Sequence, residues 1–233
     1  MNFNRKQKSA APERYKYFDL ITGLFVAVLL ISNIASSKIV DIWKFTFDGG
    51  TILFPLSYIF GDILTEVYGY RRSRRVIWIG FFCALLMSFI LGLIGLIKPA
   101  SGWEHQEAYM AILGQTTRIV TASLIAYFAG EFSNSYILAK MKVLTKGKWL
   151  FTRTIGSTIV GEGIDTIIFV LIAFLGVYDI SMVLLIIISN YIFKVSLEIL
   201  FTPITYKIVA YLKRAEKVDW FDYRTNFNPF VFS

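Results

Sequence analysis

Cysteine and histidine are almost absent from the sequence: its 233 residues include one of each, Cys83 and His105. A disulfide needs two cysteines, and a structural zinc site needs about four ligands. Cys83 lies inside an apolar run and His105 in a loop between two such runs, so they do not form a reactive pair. The sequence therefore excludes an internal disulfide, a Cys/His zinc site and a Cys/His active site. No cofactor or metal is expected.

Charge is also scarce, since 17% of the residues are charged and 56% are hydrophobic. A soluble domain has about 25% charged residues. Here the charges are clustered, and long stretches lack them almost entirely. An unusually apolar soluble bundle is the alternative, but the long uncharged stretches are typical of an integral membrane protein.

Six stretches have the roughly 20 mostly apolar residues that a helix needs to cross a bilayer. The first is too long for the apolar region of a signal peptide, so we expect it to be retained. We predict an all-α integral membrane protein with a basic tail at 1–17, a six-helix transmembrane domain at 18–212 and a second tail at 213–233. The predicted helices are Phe18–Val40, Thr51–Tyr68, Val76–Ile97, Thr117–Ala139, Leu150–Val177 and Met182–Leu212.

Basic residues are concentrated on one side of this arrangement. Eighteen of the 24 lysines and arginines fall in the N-terminal tail, after the second and fourth helices, or near the C-terminus. The loops on the other side contain only Lys44 and Lys98, with acidic residues beside them. The positive-inside rule therefore predicts that both termini are cytoplasmic, which requires an even number of helices. The net charge of +8 is interpreted as a topology signal and as contact with the lipid bilayer, and no nucleic-acid partner is expected.

Ionisable and amide side chains recur inside the predicted helices, although each charged one costs about 2.5–3.5 kcal/mol at the bilayer centre. Because exposure of these side chains to lipid is energetically unfavourable, we expect them to converge inside the bundle or to line a water-filled cavity. Arg118 and Arg153, near helix ends, are expected to reach outward. The central polar residues are Asn33, Asp62, Glu66, Glu131, Asn134, Glu162, Asp165, Asn190, Lys194 and Glu198.

The charge balance of this set points to a transporter site. Six acids face one clearly central cation, Lys194, which is expected to pair with Glu198, Glu162 or Asp165. The excess acids must be protonated, or neutralised by a cationic ligand or a coupling ion. For a single residue such as Asn134, a hydrogen bond that only holds two helices together is an equal alternative. Such bonds contribute only about 0.6 kcal/mol on average.

Glycines stand beside the acids, at Gly61, Gly130, Gly161 and Gly163. They are interpreted as sites of close helix packing, with local unwinding at a binding site as the alternative. Gly61 precedes Asp62 in the second helix, and Gly161 precedes Glu162 in the fifth helix. Each of these is the middle helix of a three-helix half, which suggests a 3+3 inverted repeat.

An intramembrane enzyme is the alternative from a different functional class, because helices two and five both carry acids that an aspartyl dyad would need. The run Gly161-Glu162-Gly163-Ile164-Asp165 does not contain the glycine-aspartate signature expected of such a dyad. H-E-x-x-H, G-x-S-x-G and a Walker lysine motif are absent as well. We therefore expect no enzymatic activity, and ATP-driven transport would require a partner ATPase.

Five runs that contain these polar residues resemble the queuosine precursor transporter family, also called the vitamin uptake transporter family. They are Ser32–Lys38, Phe60–Gly69, Gly130–Ser135, Gly161–Thr166 and Ser189–Lys194, and the resemblance extends over nearly the whole chain. It implies a bacterial inner-membrane importer of 7-cyano-7-deazaguanine, 7-aminomethyl-7-deazaguanine or queuine, salvaged for tRNA modification. It also implies a likeness to the substrate-binding subunits of energy-coupling-factor transporters. Two further arrangements are alternatives. In one, the chain is such a substrate-binding subunit and works with a partner ATPase in an ATP-driven vitamin importer; in the other, it forms a homo-oligomer.

The implied substrate suggests which polar residues form hydrogen bonds with which of its groups. A deazaguanine presents N–H donors on its Watson–Crick edge, which a carboxylate accepts in pairs, and an O6 acceptor that needs a donor. Glu162 or Asp165 is expected to accept from the donor edge. Asn190, Lys194 or Asn33 is expected to donate to O6.

Other residues have expected roles around the same substrate. Asp62 and Glu131 are expected to meet the aminomethyl cation or to carry a proton. The candidates for proton or ion coupling are Asp62, Glu66, Glu131 and Glu198. A base in a protein pocket is usually stacked on aromatic rings, and the candidates for stacking are Tyr58, Tyr127, Tyr191 and Phe193.

Overall fold

The computed structural model describes residues 15–42, 45–114 and 117–231, so most of the predicted basic tail lies outside the described residues. Helices and one two-stranded hairpin make up this part of the chain. In chain order they are α1 (Phe18–Ala35), β1 (Ile39–Ile42), β2 (Phe45–Asp48), α2 (Gly50–Tyr68), α3 (Tyr70–Leu96), α4 (Gln106–Leu113), α5 (Thr117–Leu144), α6 (Leu150–Phe174) and α7 (Ile180–Glu216).

Five of the helices, α1, α2, α3, α6 and α7, are long and apolar enough to cross a membrane. Large apolar side chains such as Leu86, Phe89 and Leu200 are exposed on them, as contact with lipid requires. α5 has 28 residues but carries charged side chains along its length, and it packs against α2, α3 and α6. The chain is therefore a multi-pass membrane protein, and its sixth span stays a prediction.

Three long helices precede α4 and three follow it, as a 3+3 arrangement requires. Within each half the middle helix, α2 or α6, carries the glycine-acid pair that suggested a repeat. The inverted symmetry itself, and the likeness to energy-coupling-factor subunits, stay predictions.

The first helix is shorter than the sequence predicts, because α1 ends at Ala35 rather than at Val40. At this point the Ser36 hydroxyl donates to the backbone carbonyl of Ser32 (2.9 Å), and such bonds compete with continued helix. The chain then forms the antiparallel β1–β2 hairpin. The hairpin departs from the all-α prediction, and its β-branched and aromatic residues favour strand over helix.

Only Gly69 separates α2 from α3. Its φ of +85° is a conformation that glycine adopts without strain, and it lets α3 begin at Tyr70 instead of the predicted Val76. The arginines between 71 and 75 are therefore on the first turns of a helix rather than in a loop. The short helix α4 between α3 and α5 was not predicted either.

Both ends of the described chain lie on the same side of the molecule. The backbone N–H groups of Lys16 and Tyr17 donate to the carboxylate of Glu216, at the end of α7, at 2.9 and 2.7 Å. The N–H of Trp220 donates to the carbonyl of Val67 near the end of α2 (3.3 Å). We call this the basic side, since the connections rich in lysine and arginine are here. The opposite side, with β1, β2 and α4, is called the hairpin side.

The segment after α7 packs back along α3. Asp222 accepts a hydrogen bond from the Tyr70 N–H (3.1 Å), and the carbonyl of Asn226 accepts one from Arg74 (2.7 Å). One turn further on, the Trp78 indole donates to another C-terminal carbonyl (2.8 Å). Residues 70, 74 and 78 lie on one face of α3. The predicted tail at 213–233 is thus, over its described residues, the end of α7 and a packed segment.

Candidate functional site

A cleft opens between the helices on the hairpin side. It contains about 530 Å³ of space between protein atoms, its mouth included, of which about 40 Å³ admits the centre of a water molecule. Ligand pockets have about 300–1,000 Å³, and the space that admits water within the cleft is far smaller, so the cleft is too narrow for a small molecule in this structure and has to widen to bind one. It is lined by Asn33, Ser36, Thr51, Phe54, Ile119, Ser123, Asp165, Thr166, Phe169, Asn190 and Lys194.

A buried ion-pair group forms the polar end of this cleft. Lys194 Nζ lies 2.7 Å from Asp165 Oδ2 and 3.2 Å from Glu162 Oε2, and 5.3 Å from the centre of the Phe54 ring. One lysine facing two carboxylates has a formal charge of −1. The prediction that Lys194 pairs with Glu162 or Asp165 agrees with both contacts, whereas Glu198, the third candidate, does not pair with any cation among the described residues.

Two predicted amides also border the cleft. Asn33 donates to the carbonyl of Leu29 (2.8 Å) and accepts a hydrogen bond from the Ser123 hydroxyl (3.1 Å), which links α1 to α5. Asn190 is half-buried on α7, about one turn from Lys194. The predicted substrate-binding residues that this one cleft brings together are Asn33, Asp165, Asn190 and Lys194, with Glu162 directly behind them.

Asp62, Glu131 and Glu198, which we call the buried carboxylates, lie between the cleft and the basic side and do not line the cleft. Each is at most 1% exposed. Asp62 Oδ1 accepts a hydrogen bond from Asn134 Nδ2 (2.8 Å). Within the described residues, both oxygens of Glu131 and both of Glu198 have no hydrogen-bond partner. Asp62 and Glu131 are therefore outside the lining of the cleft, although Glu131 is within electrostatic reach of Asp165 and Glu162.

Glu66 lies one helical turn from Asp62 on α2 but, unlike the buried carboxylates, it is paired with cations, in what we call the basic-side ion cluster. Arg153 donates two hydrogen bonds to its carboxylate, at 2.5 and 3.1 Å. Lys213 and Lys142 approach the same carboxylate at 2.5 and 3.6 Å. Asp219 completes the cluster, 2.5 Å from Lys142 and 2.9 Å from Lys213. The cluster joins α2, α5, α6, α7 and the C-terminal segment at the end opposite the cleft.

The expectation that Arg153 reaches outward is wrong, because it is 1% exposed and paired with Glu66. The two residues are 87 positions apart, so no local pattern signals the pair. The sequence did indicate that the two residues are at a similar depth in the membrane, because Arg153 is near the start of one predicted helix and Glu66 is near the end of another, on the same side. The side chain of Arg118 lies outside the described residues. Burial alone would raise the pKa of Asp219, but the charges of Lys142 and Lys213 outweigh burial and lower that pKa.

The aromatic rings that border the cleft are Phe54 and Phe169, and the sequence analysis missed both. The Tyr127 hydroxyl donates instead to the carbonyl of Ile77 (3.1 Å), in the packed interior. The predicted stacking residues that the structure places outside the cleft lining are Tyr58, Tyr127, Tyr191 and Phe193.

α5 and α6 approach closely where Gly130 faces Gly161. A Cβ added at Gly161 would stand 2.7 Å from Asn134 Cβ and 3.1 Å from the Gly130 carbonyl oxygen. Gly61 is similarly close to Glu131, whose Oε2 would be 2.8 Å from an added Cβ. The helices are continuous through all three glycines. The structure thus agrees with the packing interpretation and not with local unwinding.

Gly161→Ala is expected to destabilise the protein by about 1–3 kcal/mol, because the added methyl group forces α5 and α6 apart. Gly163→Ala, two residues along the same helix, is the matched control. Its nearest neighbour would be Tyr191 Cε2 at 3.6 Å, an ordinary contact. Thermal unfolding in detergent measures both variants, and equal melting temperatures would contradict the packing role of Gly161.

Known proteins with similar sequences have consistent descriptions. Residues 48–208 match the family described as "Putative vitamin uptake transporter". The chain is 30% identical over 196 residues to the "Probable queuosine precursor transporter" of Bacillus subtilis (strain 168), covering 82% of this chain and 85% of that protein. It is 27% identical over 195 residues to the "Queuosine precursor transporter" of Escherichia coli (strain K12), covering 81% and 84%. No solved structure matches the chain.

Proposed function

The chain belongs to the vitamin uptake transporter family, which includes the queuosine precursor transporters, and from this premise we propose that it imports 7-deazaguanine bases across a bacterial inner membrane. The bases are 7-cyano-7-deazaguanine, 7-aminomethyl-7-deazaguanine and queuine, which a cell salvages for tRNA modification. Family membership and the apolar helices support a transporter rather than an enzyme. Its partner is therefore a small molecule that the protein moves without changing it.

The observation that carries this proposal is the ion-pair group of Lys194, Asp165 and Glu162 at the polar end of the cleft. A guanine-like edge presents two N–H donors beside the O6 acceptor. In the proposed complex Asp165, with Glu162 behind it, accepts from the donors, and Lys194 or Asn190 donates to O6. The lysine and the carboxylates satisfy each other when the cleft is empty, and the base offers each of them a complementary group.

The rings of Phe54 and Phe169 border the same cleft and suit a flat heterocycle. The narrow space within the cleft implies that these rings separate when a bicyclic base enters. In this proposal the two phenylalanines take the stacking role that the sequence analysis assigned to tyrosines deeper in the bundle.

The orientation of the cleft is compatible with import. By the positive-inside rule the basic side is cytoplasmic, which places both termini inside, makes α5 the sixth span and turns the cleft outward. The basic-side ion cluster closes the other end of the same helices. A transporter that is open on one side and closed on the other, around one site, has the arrangement that alternating access requires.

Uptake in cells tests the proposed function. The chain is expressed in a bacterium that neither makes queuosine nor imports its precursors, each deazaguanine is supplied at nanomolar concentration, and queuosine in tRNA is measured. We expect the modified nucleoside to reappear, and the compound that restores it best defines the preferred substrate. Absence of queuosine while the protein is present in the membrane would refute the assignment of a deazaguanine substrate.

Asp165→Asn and Glu162→Gln then test the assignment of the donor edge. Each change keeps the shape of the side chain but removes the charge of the acceptor. Hydrogen bonds to charged groups contribute about 1.5–3 kcal/mol, so uptake at low substrate concentration should fall by roughly 10–150-fold for Asp165→Asn. The matched control is Asp179→Asn, an exposed acid on the hairpin side. Unchanged uptake in both test variants would contradict this assignment.

A further inference from the structure

The buried carboxylates Asp62, Glu131 and Glu198 have no function in the cleft described above. We propose that they form a proton-binding site, and that protons entering through this site drive accumulation of the substrate. The inference rests on the proposed function, because it names the energy source of that same transport. The ligand of the site is the proton itself.

Burial makes negative charge at this site costly. The three side chains are 0%, 0% and 1% exposed. Over the described part of the chain, Asp62 Oδ2 and all four oxygens of Glu131 and Glu198 have no hydrogen-bond partner. An ionised carboxylate in a protein interior costs several kcal/mol unless a counter-charge or hydrogen bonds compensate it. The group is therefore stable only when it binds protons or another cation.

The buried cations of the described chain have other partners. Lys194 pairs with Asp165 and Glu162. Arg74, on α3, donates to the carbonyls of residues 226 and 228. The remaining buried or half-buried cations are Arg72, which donates to the carbonyl of Tyr68, and three members of the basic-side ion cluster, Lys142, Arg153 and Lys213. Among the described residues no protein cation thus contacts the buried carboxylates, and the charge of Arg153, which is paired with Glu66, acts on Asp62 alone of the three.

Tyr58 connects the buried carboxylates to the cleft. Its ring lies against Gly130 and Gly161, it is 1% exposed, and its hydroxyl has no hydrogen-bond partner among the described residues. The hydroxyl is within electrostatic reach of Asp165 at the cleft and of Glu131 below it. A tyrosine hydroxyl both donates and accepts, so in this proposal Tyr58 passes a proton from one carboxylate to the other when these side chains move within hydrogen-bond distance.

The geometry favours a proton over a metal ion. In the described ranges no group of three or more Asp, Glu, His or Cys side chains converges closely enough to hold a metal ion. A metal ion such as Ca²⁺ needs about six oxygens around one point, whereas a proton needs one carboxylate oxygen. Glu131 interacts electrostatically with Asp62, and Glu198 interacts with both. The three therefore take up protons as one interacting group.

Other titratable groups face this site from the helices packed around it. On α2, α3, α5, α6 and α7 they are Tyr58, Glu66, Cys83, Tyr127, Arg153, Glu162, Asp165 and Lys194. Of these, Lys194 supplies the positive charge nearest the cleft. A substrate that draws Lys194 away from Glu162 leaves more negative charge beside the buried carboxylates, and so favours proton binding there.

This electrostatic link couples the substrate to the proton. The proton moves from external water through the cleft and Tyr58 to the buried carboxylates, and it leaves to internal water when the basic-side ion cluster opens. No bond of the substrate forms or breaks. Substrate and proton are therefore carried in the same direction.

The experiment uses the purified full chain in liposomes with a pH-sensitive dye inside and the membrane potential held at zero. The probe is 7-cyano-7-deazaguanine, which is neutral, so that any proton movement is due to the protein. We expect substrate addition to acidify the interior. For one proton per substrate, an external pH one unit below the internal pH should give about tenfold accumulation.

Variants locate the coupling site. Glu131→Gln and Glu198→Gln keep the side-chain shape but do not bind a proton, so accumulation under the pH gradient should fall about tenfold, to the level without a gradient. Glu107→Gln, an exposed acid on α4, is the matched control and should accumulate substrate as the natural protein does. Size-exclusion chromatography in detergent shows whether each variant is folded.

Substrate exchange without any gradient separates this inference from the proposed function. If the natural chain exchanges the base but moves no protons, or if a sodium gradient drives accumulation instead, the proton site is refuted and the transport function stands. Full pH-driven accumulation by both glutamine variants would also refute it. If a variant is unfolded, the measurement of proton movement by the natural chain still tests whether transport is coupled to protons. Absence of exchange in the natural chain would refute the proposed function itself.

Discussion

Replacing Lys194 by methionine is expected to abolish uptake and to lower the free energy of unfolding by about 3–5 kcal/mol. The substitution removes the only cation that contacts Asp165 and Glu162 among the described residues. Two buried carboxylates are then left beside each other without a counter-charge. Uptake in cells and thermal unfolding in detergent measure the two effects.

A second substitution separates the two effects. In the double variant Lys194→Met with Asp165→Asn, one negative charge is removed together with the lysine, so part of the lost stability should return. Uptake should not return, because the groups proposed to bind the base remain absent. Recovery of uptake in the double variant, or normal uptake in Lys194→Met, would contradict the proposed role of this ion-pair group in binding.

Replacing Arg153 by methionine is expected to destabilise the protein by about 1.5–3 kcal/mol, since it removes hydrogen bonds to a buried carboxylate whose charge Lys213 and Lys142 still neutralise. Arg153 makes two hydrogen bonds to Glu66, and both side chains are at most 1% exposed. Arg75→Met, on the same side of the molecule, is the matched control because Arg75 is exposed. Thermal unfolding in detergent measures both variants.

The double variant Arg153→Met with Glu66→Gln should lose less stability than the sum of the losses of the two single variants. The two side chains are in direct contact, so the second substitution removes an interaction that the first has already broken. Lys142 and Lys213 retain Asp219 as a partner in this variant. If the effects of the two substitutions simply added, Arg153 and Glu66 would not form an energetically significant pair.

The basic-side ion cluster is also where the sequence analysis and the structure differ most. Glu66, one helical turn from Asp62 on α2, was a candidate for ion coupling, but three cations surround its carboxylate. Its position suits closure of the basic side better than exchange of a proton with water. The C-terminal segment supplies Asp219 to the cluster and thus belongs to the same closure.

The sequence by itself determined the membrane class, the approximate helices and the polar residues inside them. Hydropathy and the distribution of basic residues are properties of the chain read in order, so they do not depend on how the helices pack. The ionisable residues are conspicuous because the bilayer makes each of them costly. For the same reason the runs around Asp62, Glu131 and Glu162 were sufficient to indicate the family, which the matches then showed.

Only the tertiary structure decided which of these residues meet. Whether Glu66 pairs with Arg153 or Asp165 with Lys194 depends on the rotation and depth of whole helices, and these pairs join residues 87 and 29 positions apart. The division of the acids into cleft, buried carboxylates and ion cluster follows from that packing. The hairpin after α1 and the C-terminal segment on α3 escaped prediction because specific hydrogen bonds, rather than hydropathy, determine them.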